Sequence, residues 1–164
     1  MCTKGAMQAS ITREVSMGHR LPDHKGKCRN LHGHNYQISV TIEGQPEADG
    51  MIIDFAYLKA YLSEVLRPMD HAMVLWDQDP WVEILRKAQI KGMFVDDQGA
   101  SSPTLLYLLP NHPSAENIAL HLFDRMNQKL RLHSDLKHVS ATLVSVKVQE
   151  TEDGWAECRR DNPN

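Results

Sequence analysis

Cysteine is scarce in this chain. Three residues, Cys2, Cys28 and Cys158, are odd in number and widely scattered, which excludes a disulfide framework. No apolar h-region follows Met1-Cys2-Thr3-Lys4-Gly5, and no run approaches the length of a membrane span. Charge of one sign is also lacking: a formal net charge of −3 gives no general pull toward nucleic acid or a membrane surface. Internal repeats at periods of roughly 20 to 50 residues are absent, and so are low-complexity tracts. The expectation is a cytoplasmic protein whose partners are neither nucleic acid nor membrane.

What is present is ordinary material for a core. The 164 residues are 41% hydrophobic and 24% charged, suited to one domain over 1–164. The stretch that organises the rest is Cys28-Arg29-Asn30-Leu31-His32-Gly33-His34-Asn35-Tyr36. From His34 to Glu43, apolar Tyr36, Ile38, Val40 and Ile42 alternate with polar residues, the pattern of a half-buried strand. Residues two apart on a strand share a face, so His32 and His34 extend the apolar face and can reach one ion together. Residues 9–20 alternate more loosely, with Ile11, Val15, Met17 and His19 on one parity and Arg13 as the exception. A loop over 21–31 lets the two strands pair as an antiparallel hairpin. His19 then stands across from His32 and His34.

Downstream, Asp54 is the N-cap of a helix over about 55–67, stopped by Pro68. Asp70-His71 follows in the loop. Pro113-Ser114 opens a second helix with Ile118, Leu122, Phe123, Met126 and Leu130 as its buried face. Val144, Val146 and Val148 share a parity that Glu150 continues, and Thr151–Gly154 turns into a last strand over 155–159. The order implies an α+β fold, with helices on one face of a four-stranded antiparallel sheet. Residues 77–112 read as an insertion: a short helix from Asp79-Pro80 through Lys91 closed by Gly92, a loop-like 95–103, and an apolar run over 104–109 of undefined type.

Three neutral imidazoles suit zinc, and three protein ligands leave a position for water or substrate. The spacing equally allows a closed structural site with Cys28 as fourth ligand. Cys28 lies among Lys25, Lys27 and Arg29, a setting that favours the thiolate and hence a base or nucleophile; a surface loop cysteine is the plain alternative. Asp70-His71 is a pair that can shuttle protons, though adjacent Asp-His is common. Glu150 ends an apolar strand face, where a carboxylate is costly unless it binds something, and a carboxylate can accept two parallel hydrogen bonds from a guanidine-like edge. Glu116 lies in the first turn of its helix, where an acid also complements the dipole. His24, His112, His121, His133 and His138 show no ligand spacing.

Taken in order, His19, Cys28-x-x-x-His32-Gly33-His34-Asn35-Tyr36, Asp54-Phe55, Asp70-His71, Pro113-Ser114-Ala115-Glu116-Asn117 and Val148-Gln149-Glu150-Thr151 resemble the 6-pyruvoyl tetrahydropterin synthase superfamily over nearly the whole chain. The resemblance implies the tunnelling fold, in which the sheets of several subunits join into a barrel, as trimers or stacked hexamers with active sites between subunits. It implies zinc at His19, His32 and His34, a catalytic thiol at Cys28 activated by Asp70 and His71, and substrate contacts at Glu150 and Glu116. Three residues between the cysteine and His32 are similar to the 6-carboxy-5,6,7,8-tetrahydropterin synthases of queuosine biosynthesis. Those convert 7,8-dihydroneopterin triphosphate to 6-carboxytetrahydropterin, releasing acetaldehyde and triphosphate. The rival readings are a 6-pyruvoyl tetrahydropterin synthase, which eliminates triphosphate only, and a catalytically silent pterin-binding module. Gly18 stands where the family often has Ala, a tolerable change, and the 77–112 insertion is the larger departure.

Overall fold

The computed structural model describes residues 5–87, 94–95, 98–99, 101–102, 106–132 and 141–161. Strand β1 (Met7–His19) and strand β2 (His32–Gly44) form a long antiparallel hairpin in unbroken register, from Met7 opposite Gly44 to His19 opposite His32. Its inner face carries Ile11, Val15 and Met17 on β1 and Tyr36, Ile38, Val40 and Ile42 on β2, all buried. The period-2 alternation therefore governs the fold as well as the strand.

Helix α1 (Phe55–Leu66) starts at Asp54, whose side chain accepts from Ala56 N at 2.8 Å, the N-cap bond expected of an aspartate there. It lays Leu58, Tyr61, Leu62, Val65 and Leu66 into the core and packs on β1. After it come strand β3 (Met73–Trp76), helix α2 (Pro80–Lys87), the short paired strands β4 (Phe94–Val95) and β5 (Ser101–Ser102), and strand β6 (Leu106–Leu109). Helix α3 (Ala115–Leu132) buries Ile118, Ala119, Leu122 and Met126. It packs against α1 and against strands β7 (Thr142–Gln149) and β8 (Trp155–Arg159). The two main helices thus share the inner face of the sheet.

The sheet departs from the four-stranded antiparallel expectation. It has six strands in the order β6-β3-β1-β2-β7-β8. The expected four form its antiparallel part, while β3 lies parallel to β1 and β6 parallel to β3. β6 comes from the run left undefined and β3 from residues given no element, both being four-residue apolar segments too short to show a period. A second departure lies in β7: a register shift opposite Thr41 and Ile42 buries Leu143 and leaves Val144 only partly covered, so the expected Val144–Val148 parity breaks at a β-bulge. Within 95–103, Val95 pairs with Ser101 instead of forming plain loop. The expected closure of α2 at Gly92, together with Cys2, His133 and His138, lies outside the described residues.

Candidate metal centre

Antiparallel pairing sets His19 directly opposite His32, and His34 follows on the same face of β2. The ligating atoms of these three imidazoles all lie within 4.8 Å of one another. Ring centroids are 4.4 Å apart for His19 and His32, 5.3 Å for His19 and His34, and 5.1 Å for His32 and His34. The strands can approach this closely because Gly33 has no side chain: a Cβ there would stand 2.9 Å from the carbonyl oxygen of Met17, a backbone atom that cannot step aside. At Gly18 an added Cβ would collide with the Met73 sulfur, so tolerance of Ala there depends on a flexible side chain moving.

Two rings are held in a defined tautomer by backbone carbonyls. His19 Nδ1 donates to Pro113 O at 2.8 Å and His32 Nδ1 donates to Asn30 O at 2.8 Å, which turns both Nε2 lone pairs toward the common point. Burial pushes the pKa of His19 down, against the raising effects of the Pro113 carbonyl and Glu150, with His32 and His34 lowering it further. The net direction favours the neutral ring that a metal requires. The Pro113 carbonyl is presented by a tight turn: Ser114 N and Asn117 Nδ2 both bond His112 O at 2.8 Å, and Ser114 Oγ accepts from Asn117 N at 3.4 Å. The Pro113–Asn117 motif therefore serves the histidines through its backbone.

Glu150 is part of the same cluster. Its Oε1 lies 3.3 Å from His19 Nε2 and 3.9 Å from His34 Nε2, and it accepts a hydrogen bond from the Tyr36 hydroxyl at 3.0 Å. Tyr36 is completely buried. Desolvation, the Glu150 charge and hydrogen bond, and the neighbouring Cys28 sulfur all raise its pKa, so it remains a donor. Sequence reasoning treats Tyr36 as core alone; its position two residues beyond His34 on one strand face is the signal that could have found it.

The remaining candidates are arranged differently. Cys28 lies half-buried in a single 3₁₀ turn, Lys27–Arg29, close enough to Tyr36 to contribute to the raised pKa of its hydroxyl. Asp70 and His71 are moored to the far edge of β1. Ser16 N donates to Asp70 Oδ1 at 3.3 Å, His71 N donates to Ser16 O at 2.6 Å, and the His71 ring pairs with Asp70 at 3.0 Å. Among the described residues neither bonds Cys28 or a triad histidine. His71 does border the same open cleft, about 660 Å³, as His32 and His34, and it holds a left-handed backbone, φ 57°, uncommon for a non-glycine residue. Glu116 is exposed at the start of α3, where the Ser114 hydroxyl and its own backbone amide hold its carboxyl below the usual range. His112 lies against Trp76 and Asp23, His121 Nε2 and the Tyr107 hydroxyl share a hydrogen bond of 2.7 Å, and His24 Nδ1 accepts from Gly26 N. Burial pushes the Cys158 thiol up.

Residues 8–161 match the family model described as 6-pyruvoyl tetrahydropterin synthase. The chain is 34% identical over 154 residues to the 6-carboxy-5,6,7,8-tetrahydropterin synthase of Haemophilus influenzae, covering 90% of this chain and 96% of that one. It is 30% identical over 150 residues to the protein of the same name from Rickettsia typhi, covering 89% and 96%. Among solved structures, a catalytic-residue mutant of the Plasmodium vivax 6-pyruvoyltetrahydropterin synthase superposes with a TM-score of 0.71 at 22% identity, over 96% of this chain and 99% of that one. The Caenorhabditis elegans 6-pyruvoyl tetrahydropterin synthase gives 0.63 at 23% identity, over 98% and 100%. Two long paired strands that set three histidines around one point, on this fold and with this extent of likeness, leave one assignment: the chain belongs to the 6-pyruvoyl tetrahydropterin synthase family.

Proposed function

We propose that the protein is a zinc-dependent carbon–carbon lyase that converts 7,8-dihydroneopterin triphosphate into 6-carboxy-5,6,7,8-tetrahydropterin, with release of acetaldehyde and triphosphate, a step toward queuosine and other 7-deazapurines. The observation that carries the reading is the convergence of three imidazoles, two with Nδ1 committed to carbonyls. That donor set fits zinc, which His19, His32 and His34 would hold with no thiolate needed to complete the set. Zinc held there would supply Lewis acidity toward a substrate hydroxyl.

The chain's own groups supply the rest. Glu150, its Oε1 held by Tyr36, presents its second oxygen to the guanidine-like edge of a pterin. Glu116, ionised at the start of α3, is the second carboxylate assigned to substrate. Cys28 moves the side-chain proton, and Asp70 with His71 relays it. Because neither residue bonds Cys28 or a triad histidine among the described residues of one chain, the pair is assigned to the site of a neighbouring copy in a homo-oligomer. Trimers or hexamers joined through their sheets would provide such neighbours. No helix among the described residues is long and apolar enough to cross a membrane, and the protein is assigned to the cytoplasm.

The deciding experiment is incubation with 7,8-dihydroneopterin triphosphate and mass spectrometry of the product. Loss of a two-carbon aldehyde supports the lyase. A product that keeps all side-chain carbons makes the protein a 6-pyruvoyl tetrahydropterin synthase instead, and binding without turnover makes it a silent pterin-binding module.

A further inference from the structure

The loop that carries Cys28 is held at three carbonyls. Leu21 N donates to Cys28 O at 2.8 Å, Arg20 Nε donates to Arg29 O at 2.9 Å, and His32 Nδ1 donates to Asn30 O at 2.8 Å. The first and third donors sit at the ends of the strands that flank the loop. The middle one is a side chain, and it is itself held from elsewhere. Arg20 Nη1 donates to Asp79 Oδ1 at 3.1 Å, and the Asp79 side chain is fully buried. Asp79 starts α2: its Oδ1 accepts from Trp81 N at 2.9 Å and its carbonyl from Val82 N at 2.9 Å. Among the described residues, its Oδ2 has no partner.

A buried carboxylate with one bare oxygen is costly unless a cation faces it. Arg20, only 13% exposed, is the cation present. A guanidinium is rigid and planar, so a bond through Nε to the loop and one through Nη1 to Asp79 fix the loop's orientation as well as its distance. We propose that Arg20 and Asp79 are a positioning pair that sets the Cys28 loop against the three histidines, so that the segment after β3 controls the reacting thiol through one buried carboxylate. The proposal rests on the reading of Cys28 as that thiol. It also ties residues 77–112 to the site, because their first helix begins at the group that braces the loop.

Asp79→Asn separates this role from mere folding. Asn keeps an oxygen for Trp81 N and is as good an N-cap as Asp; the charge toward Arg20 is lost, and an amide NH2 takes the place of the unpartnered Oδ2. Arg20→Lys keeps the charge and loses the fork. The measurements are kcat and KM on 7,8-dihydroneopterin triphosphate, zinc content, and amide hydrogen exchange resolved to single residues. For Asp79→Asn we expect kcat to fall roughly 10- to 100-fold, as for a misplaced reacting group. KM should stay within about twofold, and zinc content should not change. Exchange at Leu21, Arg29 and Asn30 should quicken about tenfold or more. Arg20→Lys should behave alike, and the double variant should be no worse than either single one, as for residues acting as a unit. Wild-type kcat and wild-type loop exchange in Asp79→Asn would overturn the proposal. So would exchange that quickens equally along β2 and β7 with loss of zinc, which would make the pair a plain structural brace. Should the unaltered protein fail to turn over this substrate, the functional reading fails while exchange and zinc content still decide the pair.

Discussion

The three histidines and the Asp70-His71 pair are built in opposite ways. The imidazoles sit on paired strands, are partly or fully buried, and two of them take their orientation from fixed carbonyls. Asp70 and His71 are 50% and 76% exposed, rest on a left-handed residue, and hold mainly each other and the Ser16 backbone. One region is assembled by the paired strands of a single chain; the other borders the same cleft, yet among the described residues bonds neither Cys28 nor a triad histidine. A cluster that could hold a metal ion is thus built by the paired strands of one chain, whereas the proton relay proposed for Asp70 and His71 is assigned to the assembly.

The sharpest break of that contrast is at the histidines. His34→Ala should lower zinc affinity by more than the 10- to 100-fold typical of losing an outer-shell partner, whereas Asp70→Asn should leave metal content unchanged. Metal analysis and chelator competition measure both, and full occupancy in His34→Ala would remove that residue from the ligand set.

Next in size is complementation. Cys28→Ala and Asp70→Asn should each be nearly inactive, yet co-refolded mixtures should regain a substantial share of turnover because some sites then combine an intact Cys28 with an intact Asp70. Mixtures as dead as their parents would place both groups in one chain. Glu150→Gln should raise KM about tenfold or more, the worth of a charge-assisted hydrogen bond, while zinc stays. Unchanged kinetics would take Glu150 out of the site. Smallest in its effect on the fold is His71→Asn: Asn adopts the left-handed region readily, so thermal melting should move by no more than about 2 °C, even as turnover is lost.

The hairpin, α1, α3 and the C-terminal strands are legible in the sequence because each is long enough to show its period. Their caps and turns, Asp54 and Thr151–Gly154, agree with those periods. Strands β3 and β6 are not legible: Met73–Trp76 and Leu106–Leu109 are four-residue apolar runs without alternation, and their pairing is with distant segments. The bulge at Val144 is likewise invisible, since a shift of one residue leaves no mark in composition. At the site, the histidines announce themselves by spacing. Their supports do not, because the carbonyls of Asn30 and Pro113 are backbone atoms that any residue carries. The Arg20–Asp79 contact spans 59 positions and follows only from the topology.

The bond from His19 to Pro113 spans 94 positions of chain. A nascent chain that has made only its first hairpin already carries all three imidazoles but lacks the oxygen that aims one of them. The geometry of the cluster thus depends on the segment before α3 being in place, so it is completed by the finished fold and not by its first hairpin.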